Sequence, residues 1–270
     1  MHLSEPALLM CFLLFAYTLA PRMTSGFLLN GQRAYVRAHG LALLLVLLGV
    51  ILDHPLLALS WPVFCGLGLL MFLYQEGTRT FSPLGLAAAI PFVFSLVSAL
   101  WFFAGVNDLG LLGYGVNWSL YAALHGSYLG WLFVGCLVQL AKHDRRHLVS
   151  CWATFLLFLL VALGIDGVPY VKRIGVLGLA LLVPLCIGSF AFSRHPRQRR
   201  ARTLSLMIFA SISLAMGLAV INEYWPEAPR MLEGLPVMVV IHGGLNALVT
   251  IPAFYLAILL EQGKRLDTLQ

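Results

Sequence analysis

Two histidines of this sequence lie inside long apolar stretches, where titratable side chains are rare. His125 is followed by Gly126, and His242 is followed by Gly243. At about 1.5 Å per residue, their positions within the predicted spans place both imidazoles roughly 10–14 Å below a bilayer surface. An ionisable side chain at that depth usually faces the inside of a helix bundle or a wet cavity. Because the unperturbed pKa of histidine, about 6.5, lies near working pH, both residues are candidates for catalytic proton transfer.

Polar residues spaced three and four apart extend each histidine into a stripe on one helix face. The first stripe consists of Asn117, Tyr121, His125 and Tyr128, and the second of His242, Asn246 and Thr250. We expect the two stripes to face each other and to bind a ligand through their polar side chains. The candidate ligand-binding residues are Tyr128, Asn246, Asn117 and Tyr121. The alternative is that each histidine completes a hydrogen-bond network between helices.

Four acidic residues occupy matching places in the two halves of the chain. They are Asp53, Asp166, Asp108 and Glu223. Asp108 and Glu223 end the helices that precede the two histidine helices, so they are candidate catalytic acids or orienting partners for an imidazole. Asp53 and Asp166 lie in turns and are candidate ligand-binding residues. The alternative for all four is a solvated turn or a helix-end cap, because acids near a membrane surface need little explanation.

The elements that would position these residues are transmembrane helices. Of the 270 residues, 60% are hydrophobic and 10% are charged, against roughly 45–50% and about 25% in soluble domains. Apolar stretches long enough to cross a ~30 Å hydrocarbon layer predict helices, because a lipid-exposed backbone must satisfy its own hydrogen bonds. The predicted spans are 6–20, 34–52, 56–74, 84–106, 116–141, 148–165, 174–192, 204–221 and 235–260. The sequence therefore predicts an all-α polytopic membrane helix bundle of about nine transmembrane helices.

A tandem repeat relates the second half of the chain to the first. The matched pairs are Asp53 with Asp166, Asp108 with Glu223, and His125 with His242, at offsets of 113, 115 and 117. The pattern predicts one N-terminal helix followed by two tandem four-helix repeats, and both repeats enter the membrane with the same orientation. The predicted divisions are 1–33 for the N-terminal helix and a cytoplasmic loop, 34–145 for the first repeat, and 146–270 for the second repeat and a cytoplasmic tail.

The basic residues predict the orientation. With these spans, 14 of the 17 Lys and Arg residues lie on one side, and only Lys172, Arg173 and Arg230 lie on the other. Since an excess of Lys and Arg marks the cytoplasmic side, we expect a bacterial inner (plasma) membrane protein with its N-terminus outside and its C-terminus in the cytoplasm. Four other histidines lie among the basic loops, where we expect them to contact lipid headgroups. They are His39, His143, His147 and His195.

Motifs of soluble enzymes are absent from the sequence, which contains no P-loop, no H-E-x-x-H and no G-x-S-x-G. The five cysteines lie in apolar stretches without C-x-x-C spacing, and we interpret them as packing residues. No metal site is predicted and no cofactor is identified. The expected partners are the lipid bilayer and a small or lipophilic molecule, with no nucleic acid.

Around both histidines the chain resembles the YndJ-like family of bacterial membrane proteins. That family carries an H-x-x-Y-x-G-aromatic helix midway and an H-G-x-x-N-A helix near its end. The corresponding segments here are HGSYLGW, which begins at His125, and HGGLNA, which begins at His242. Gly126 and Ser127 stand where the family tends to have an aromatic residue and a second histidine, which argues against a two-histidine metal site. The resemblance implies a site that includes Tyr128 and Asn246, and members of the family are sometimes labelled transporters.

Three functions that involve a ligand are compatible with these features, beside an assembly or structural membrane protein without a small-molecule site. The first is a transporter or permease that binds its substrate between the two repeats. The second is a membrane-embedded enzyme, such as a cyclase, isomerase or lipid-modifying enzyme, that uses histidine and carboxylate for acid–base chemistry on a lipophilic substrate. The third, which we favour least, is a haem or metal protein with one histidine ligand from each repeat.

Overall fold

The computed structural model describes residues 4–165, 167–192, 199–225, 227–232 and 234–267. Asp166 and His195, both named above, lie outside these residues. Within the described ranges, nine helices are long and apolar enough to cross a membrane. The predicted all-α membrane helix bundle is therefore confirmed, and the chain is a multi-pass membrane protein.

Each predicted span falls on one of these helices. Those of the first half are α1 (Glu5–Ser25), α2 (Gln32–Ile51), α3 (Ser60–Glu76), α4 (Pro83–Val106) and α5 (Val116–Ala141). Short 3-10 turns flank α3 and precede α5, at Pro55–Leu59, Gly77–Phe81 and Leu111–Gly113. Those of the second half are α6 (Arg146–Ile165), α7 (Pro169–Ala191), α8 (Arg199–Tyr224) and α9 (238–267). A hairpin of two short strands, β1 (Met231–Leu232) and β2 (Leu235–Pro236), leads into α9.

Several helix boundaries differ from the predicted ones. Helix α1 continues through Pro21 to Ser25, although the predicted span ends at residue 20. Helix α7 begins at Pro169 rather than at residue 174, and its first turns include Lys172, which pairs with an acid of α8. Residues 235–236 belong to the hairpin instead of α9, because Gly234 adopts a φ of 84° that permits a tight turn. Hydropathy alone therefore misplaces these helix ends, because it does not take into account ion pairs such as that of Lys172 or turns such as that at Gly234.

The helices form two compact units, Met1–Gly135 and Cys136–Gln270. In the first unit, α1 packs on α2 and α5, while α4 packs on α3 and α5. In the second unit, α6, α7, α8 and α9 pack against one another in chain order. The predicted divisions at 34–145 and 146–270 follow the sequence repeat rather than these contacts, and they stay a prediction.

Large aromatic residues lie in the core of the first unit, and many leucines of the helices are exposed. Trp61 and Trp131 are fully buried in the first unit. Leu67, Leu181 and Leu185 are 62%, 60% and 67% exposed. In water such aliphatic surface would be costly, whereas lipid tails solvate it as well as a protein core does.

Two glycines of α5 allow α4 to approach closely. A Cβ atom on Gly126 would lie 3.0 Å from the Cβ of Ser98, and one on Gly130 would lie 2.1 Å from the ring of Phe94. Gly126 therefore lets α4 come close to α5. Small residues at such crossings are typical of membrane helix packing.

We predict that Gly130→Ala destabilises the first unit, because the added methyl group overlaps the Phe94 ring. Overpacking of this kind costs about 1–3 kcal/mol of unfolding free energy. The measurement is the thermal unfolding midpoint of the purified protein in detergent. The control is Gly40→Ala, because nothing lies within 4 Å of a Cβ at Gly40. Equal midpoints for the two variants would contradict the close packing at Gly130.

Candidate functional site

Both histidine segments contain π-helical turns. In α5 the π-helical residues are Gly126–Phe133, directly after His125, and in α9 they are Met238–Gly243 and Leu245–Thr250. No other helix in the described ranges contains a π-helical segment. Such turns are rare and occur frequently at functional sites, because the widened backbone displaces side chains and loosens the regular hydrogen bonding. The structure thus distinguishes the two helices that the sequence singled out.

The imidazole of His125 is bonded within its own helix. Its Nδ1 lies 2.8 Å from the carbonyl oxygen of Tyr121, and the residue is exposed. A carbonyl only accepts hydrogen bonds, so Nδ1 carries the proton in this contact. The structure therefore anchors this imidazole to the preceding turn, while Asn117, one turn further back, is half-buried.

The two tyrosines of the first stripe bind α1. Tyr121 donates its hydroxyl to Oε1 of Glu5 at 2.5 Å, and Tyr128 donates to the carbonyl of Phe12 at 2.7 Å. From the first bond to the second, the residue number increases by seven in both helices, so α1 and α5 run in the same direction. Tyr128 is buried and Tyr121 is half-buried. These predicted ligand-binding residues hold the first unit together, and Glu5 is a partner that the sequence analysis did not identify.

His39 lies in the protein interior, and its predicted contact with lipid headgroups is wrong. It is 6% exposed, and its Nε2 lies 2.8 Å from the carbonyl oxygen of Tyr17. The reason is Pro21, which lies inside α1 and lacks the N–H that would otherwise bind the Tyr17 carbonyl four residues earlier. His39 supplies the missing donor from α2. The proline in an apolar helix is the sequence signal that could have located this partner.

An aromatic cluster surrounds this contact. The Trp61 ring lies 4.3 Å from that of Tyr17 and 6.0 Å from that of His39, measured between centroids. The Tyr17 hydroxyl and the Trp61 indole nitrogen are buried without a hydrogen-bond partner. The Tyr17 hydroxyl lies beside Ser98 and Ser127, whose own hydroxyls are 2.6 Å apart. Buried polar groups of this kind are commonly satisfied by ordered water.

In the second unit, His242 links two helices. Its Nδ1 lies 2.7 Å from the carbonyl oxygen of Ala215 in α8, and its Nε2 lies 3.2 Å from Nδ2 of Asn246. Since the carbonyl requires a proton on Nδ1, the amide N–H of Asn246 donates to a bare Nε2 in the neutral imidazole. Asn246 Oδ1 is then left buried and without a hydrogen-bond partner. His242 and Asn246, which the sequence places on one helix face, are therefore in contact within α9.

Further polar contacts continue along the same pair of helices. Deeper in the unit, the Ser211 hydroxyl lies 2.9 Å from that of Thr250. At the other end, a cavity of about 30 Å³ lies beside the hairpin and is lined by Asn222, Arg230 and Met238 together with apolar residues. We call this line of contacts, from the cavity through His242 and Asn246 to Ser211 and Thr250, the α8–α9 seam.

Of the predicted carboxylates that the structure describes, two follow helix ends and one forms ion pairs. Asp53 and Asp108 have φ values of 50° and 47° and each follows a helix C-terminus. The closing hydrogen bonds are His54 N to the Gly49 carbonyl at 2.8 Å and Leu109 N to the Ala104 carbonyl at 3.0 Å. This is the Schellman arrangement, in which Asp tolerates the left-handed conformation better than most residues. The geometry gives both acids a structural role as helix terminators.

Glu223 is held by two cations of α7. Its carboxylate lies 2.8 Å from Lys172 Nζ and 3.7 Å from Arg173 Nε, and its side chain is only 12% exposed. Tyr224 adds a hydrogen bond from its hydroxyl to the Arg173 carbonyl at 3.0 Å. Glu223 therefore joins α7 to α8, whereas its sequence match, Asp108, ends a helix.

The described residues contain no group of three or more His, Cys, Asp or Glu side chains that could hold a metal ion. Four of the cysteines are buried, and Cys11 is exposed. The buried thiols match the packing role expected for them, and neither histidine segment gathers the ligands of a metal centre in this part of the chain.

We predict that His39→Phe costs about 1–3 kcal/mol of unfolding free energy, because it leaves the Tyr17 carbonyl buried without a donor. The loss should shrink in a Pro21→Ala background, where position 21 regains its N–H. A double-mutant cycle in detergent, with unfolding followed by circular dichroism, measures the coupling. His54→Phe, at an exposed turn, serves as the control. The same loss in both backgrounds would rule out the proposed compensation.

Comparison with known proteins found no matching family model, curated protein or solved structure. The resemblance to the YndJ-like family consequently stays a prediction. The function must be argued from the geometry of the π-helical segments and of the α8–α9 seam.

Proposed function

We propose that the protein is a transporter or permease, and that the α8–α9 seam of its second unit binds the substrate. The observation that carries this proposal is the unpaired, buried Oδ1 of Asn246 next to His242. A buried acceptor without a partner is unfavourable, so natural proteins usually keep one only where a ligand or water completes it. In the interior of a membrane protein, polar groups of this kind commonly mark substrate pathways.

The length of the seam supports a path for a solute. Eleven residues of α8 separate Asn222 at the cavity from Ser211 at the far end. At about 1.5 Å per residue this is roughly 16 Å, or about half of a ~30 Å hydrocarbon core. The seam would therefore carry a solute from one membrane surface to the middle of the bilayer.

The π-helical turns around His242 supply a means of movement. When a π-helical turn converts to α-helix, its extra residue is lost from the turn and the following segment rotates by about 100°. Such a rotation of α9 would move Asn246 and Thr250 relative to α8. Discrete rearrangements of packed helices are the usual basis of switching in proteins.

An enzyme that uses a histidine–carboxylate pair receives less support. Glu223 is engaged by Lys172 and Arg173, and Asp108 terminates a helix. The hydrogen bond of the His125 imidazole goes to a main-chain carbonyl of its own helix. A general base would gain more from a carboxylate that orients it.

We predict that proteoliposomes release solutes that protein-free vesicles retain. The vesicles are loaded with a defined mixture of amino acids, sugars, polyols, amides and organic acids, and released compounds are identified by mass spectrometry. Asn246→Leu and His242→Phe should lower the released flux at least tenfold. Leu248→Ala, on an exposed face of the same helix, is the matched control. Folded protein that releases no compound, or release unchanged by both variants, would refute transport through the seam.

We also propose that the protein resides in a bacterial inner membrane with its C-terminus in the cytoplasm. The distribution of Lys and Arg supports this orientation. Two of the three exceptions, Lys172 and Arg173, pair with Glu223.

A C-terminal fusion to green fluorescent protein should therefore fluoresce in a bacterial host, and a C-terminal alkaline phosphatase fusion should be inactive. These reporters respond in opposite ways to the two compartments, so a dark fluorescent fusion with an active phosphatase fusion would reverse the orientation.

A further inference from the structure

The unfilled hydrogen-bonding position of the α8–α9 seam is an acceptor. Asn246 directs its Nδ2 to His242 Nε2 at 3.2 Å, and its Oδ1 is buried without a partner. The opposite amide orientation would place Oδ1 against the bare lone pair of Nε2, which is repulsive. A ligand that completes the site must therefore present a hydrogen-bond donor, such as a hydroxyl or an amide N–H.

The helices that form the seam carry no formal charge along it. Between Arg202 and Glu223, α8 has no Asp, Glu, Lys or Arg, and α9 has none from Met238 to residue 260. The seam's polar groups are a serine and a threonine hydroxyl, an amide and an imidazole. A charged ligand in that position would lose its hydration without gaining a counter-charge from either helix, which is strongly unfavourable. The seam thus favours an uncharged ligand.

At the cavity end of the seam, Arg230 disfavours the binding of cations. Among the described residues that line its cavity are Arg230 and Asn222, and the other described lining side chains are apolar. None of these described residues is acidic. An arginine at the entrance repels ammonium groups, while the asparagine amide offers both a donor and an acceptor to a neutral solute.

We infer that the substrate is a small uncharged molecule with hydroxyl or amide N–H donors, such as a short polyol or a simple amide, bound through Asn246 Oδ1. This inference rests on the proposed transport function and adds the chemical class of the solute. In this inference Asn246 Oδ1 accepts a hydrogen bond from the solute, and the hydroxyls of Ser211 and Thr250 contact it. The positive charge of Arg230 repels cations. His242 positions Asn246, because its bare Nε2 fixes which way the amide points.

The test is stopped-flow light scattering of proteoliposomes that contain the full chain. Vesicles exposed to an inward gradient of glycerol, erythritol or urea should re-swell at least fivefold faster than protein-free vesicles. Asn246→Leu should return the rate to that of protein-free vesicles, because it removes the acceptor without adding charge. Leu248→Ala should leave the rate unchanged. Circular dichroism and size-exclusion profiles identify any variant that fails to fold, and Thr250→Val then serves as a second seam variant with an expected partial loss.

A second measurement separates this inference from transport itself. Solid-supported membrane currents are recorded with choline chloride and with sodium lactate, which supply an organic cation and an organic anion. Fast swelling with the uncharged solutes and no current supports the inference. Currents with either salt and no swelling would overturn the inference and leave transport intact. The absence of swelling, of current and of any metabolite release would overturn both.

Discussion

Polar groups that lie within a bilayer must find their partners inside the protein, and much of this structure follows from that requirement. Pro21 leaves the Tyr17 carbonyl without its usual N–H, and His39 donates to it from the next helix. Elsewhere side chains use carbonyls of neighbouring helices, as Tyr128 does with Phe12. Several polar side chains in these apolar helices therefore connect one helix to another.

The two histidine segments meet this requirement with different hydrogen-bond partners. His125 bonds to a carbonyl of its own helix, and its neighbouring tyrosines are paired with α1. His242 instead reaches across to α8 and holds an amide whose oxygen has no partner. The two histidines that the sequence pairs therefore lie in settings that differ in their hydrogen bonding. The second setting retains an open position for a ligand.

Composition alone predicted the fold class, because nine long apolar stretches allow few other structures. The helix around His39 was predicted, but the environment of this histidine was not, since Arg33 and Arg37 beside it indicate the basic end of that span. The burial of His39 depends on a proline in a different helix, which is a tertiary effect. For Asp53 and Asp108 the structure favours the alternative of a helix end, because both have the positive φ values of helix termination. The His242–Asn246 contact could be predicted because both residues lie one turn apart on one helix.

The contact between His39 and the Tyr17 carbonyl also bears on how the chain is assembled. A nascent α1 that entered lipid alone would carry a carbonyl with no donor, and removing that group from water is unfavourable. The donor lies 22 residues downstream, in α2. Biogenesis should therefore favour release of the first two helices from the translocon together, as an antiparallel pair, so that a single proline early in the chain couples the insertion of one segment to the synthesis of the next.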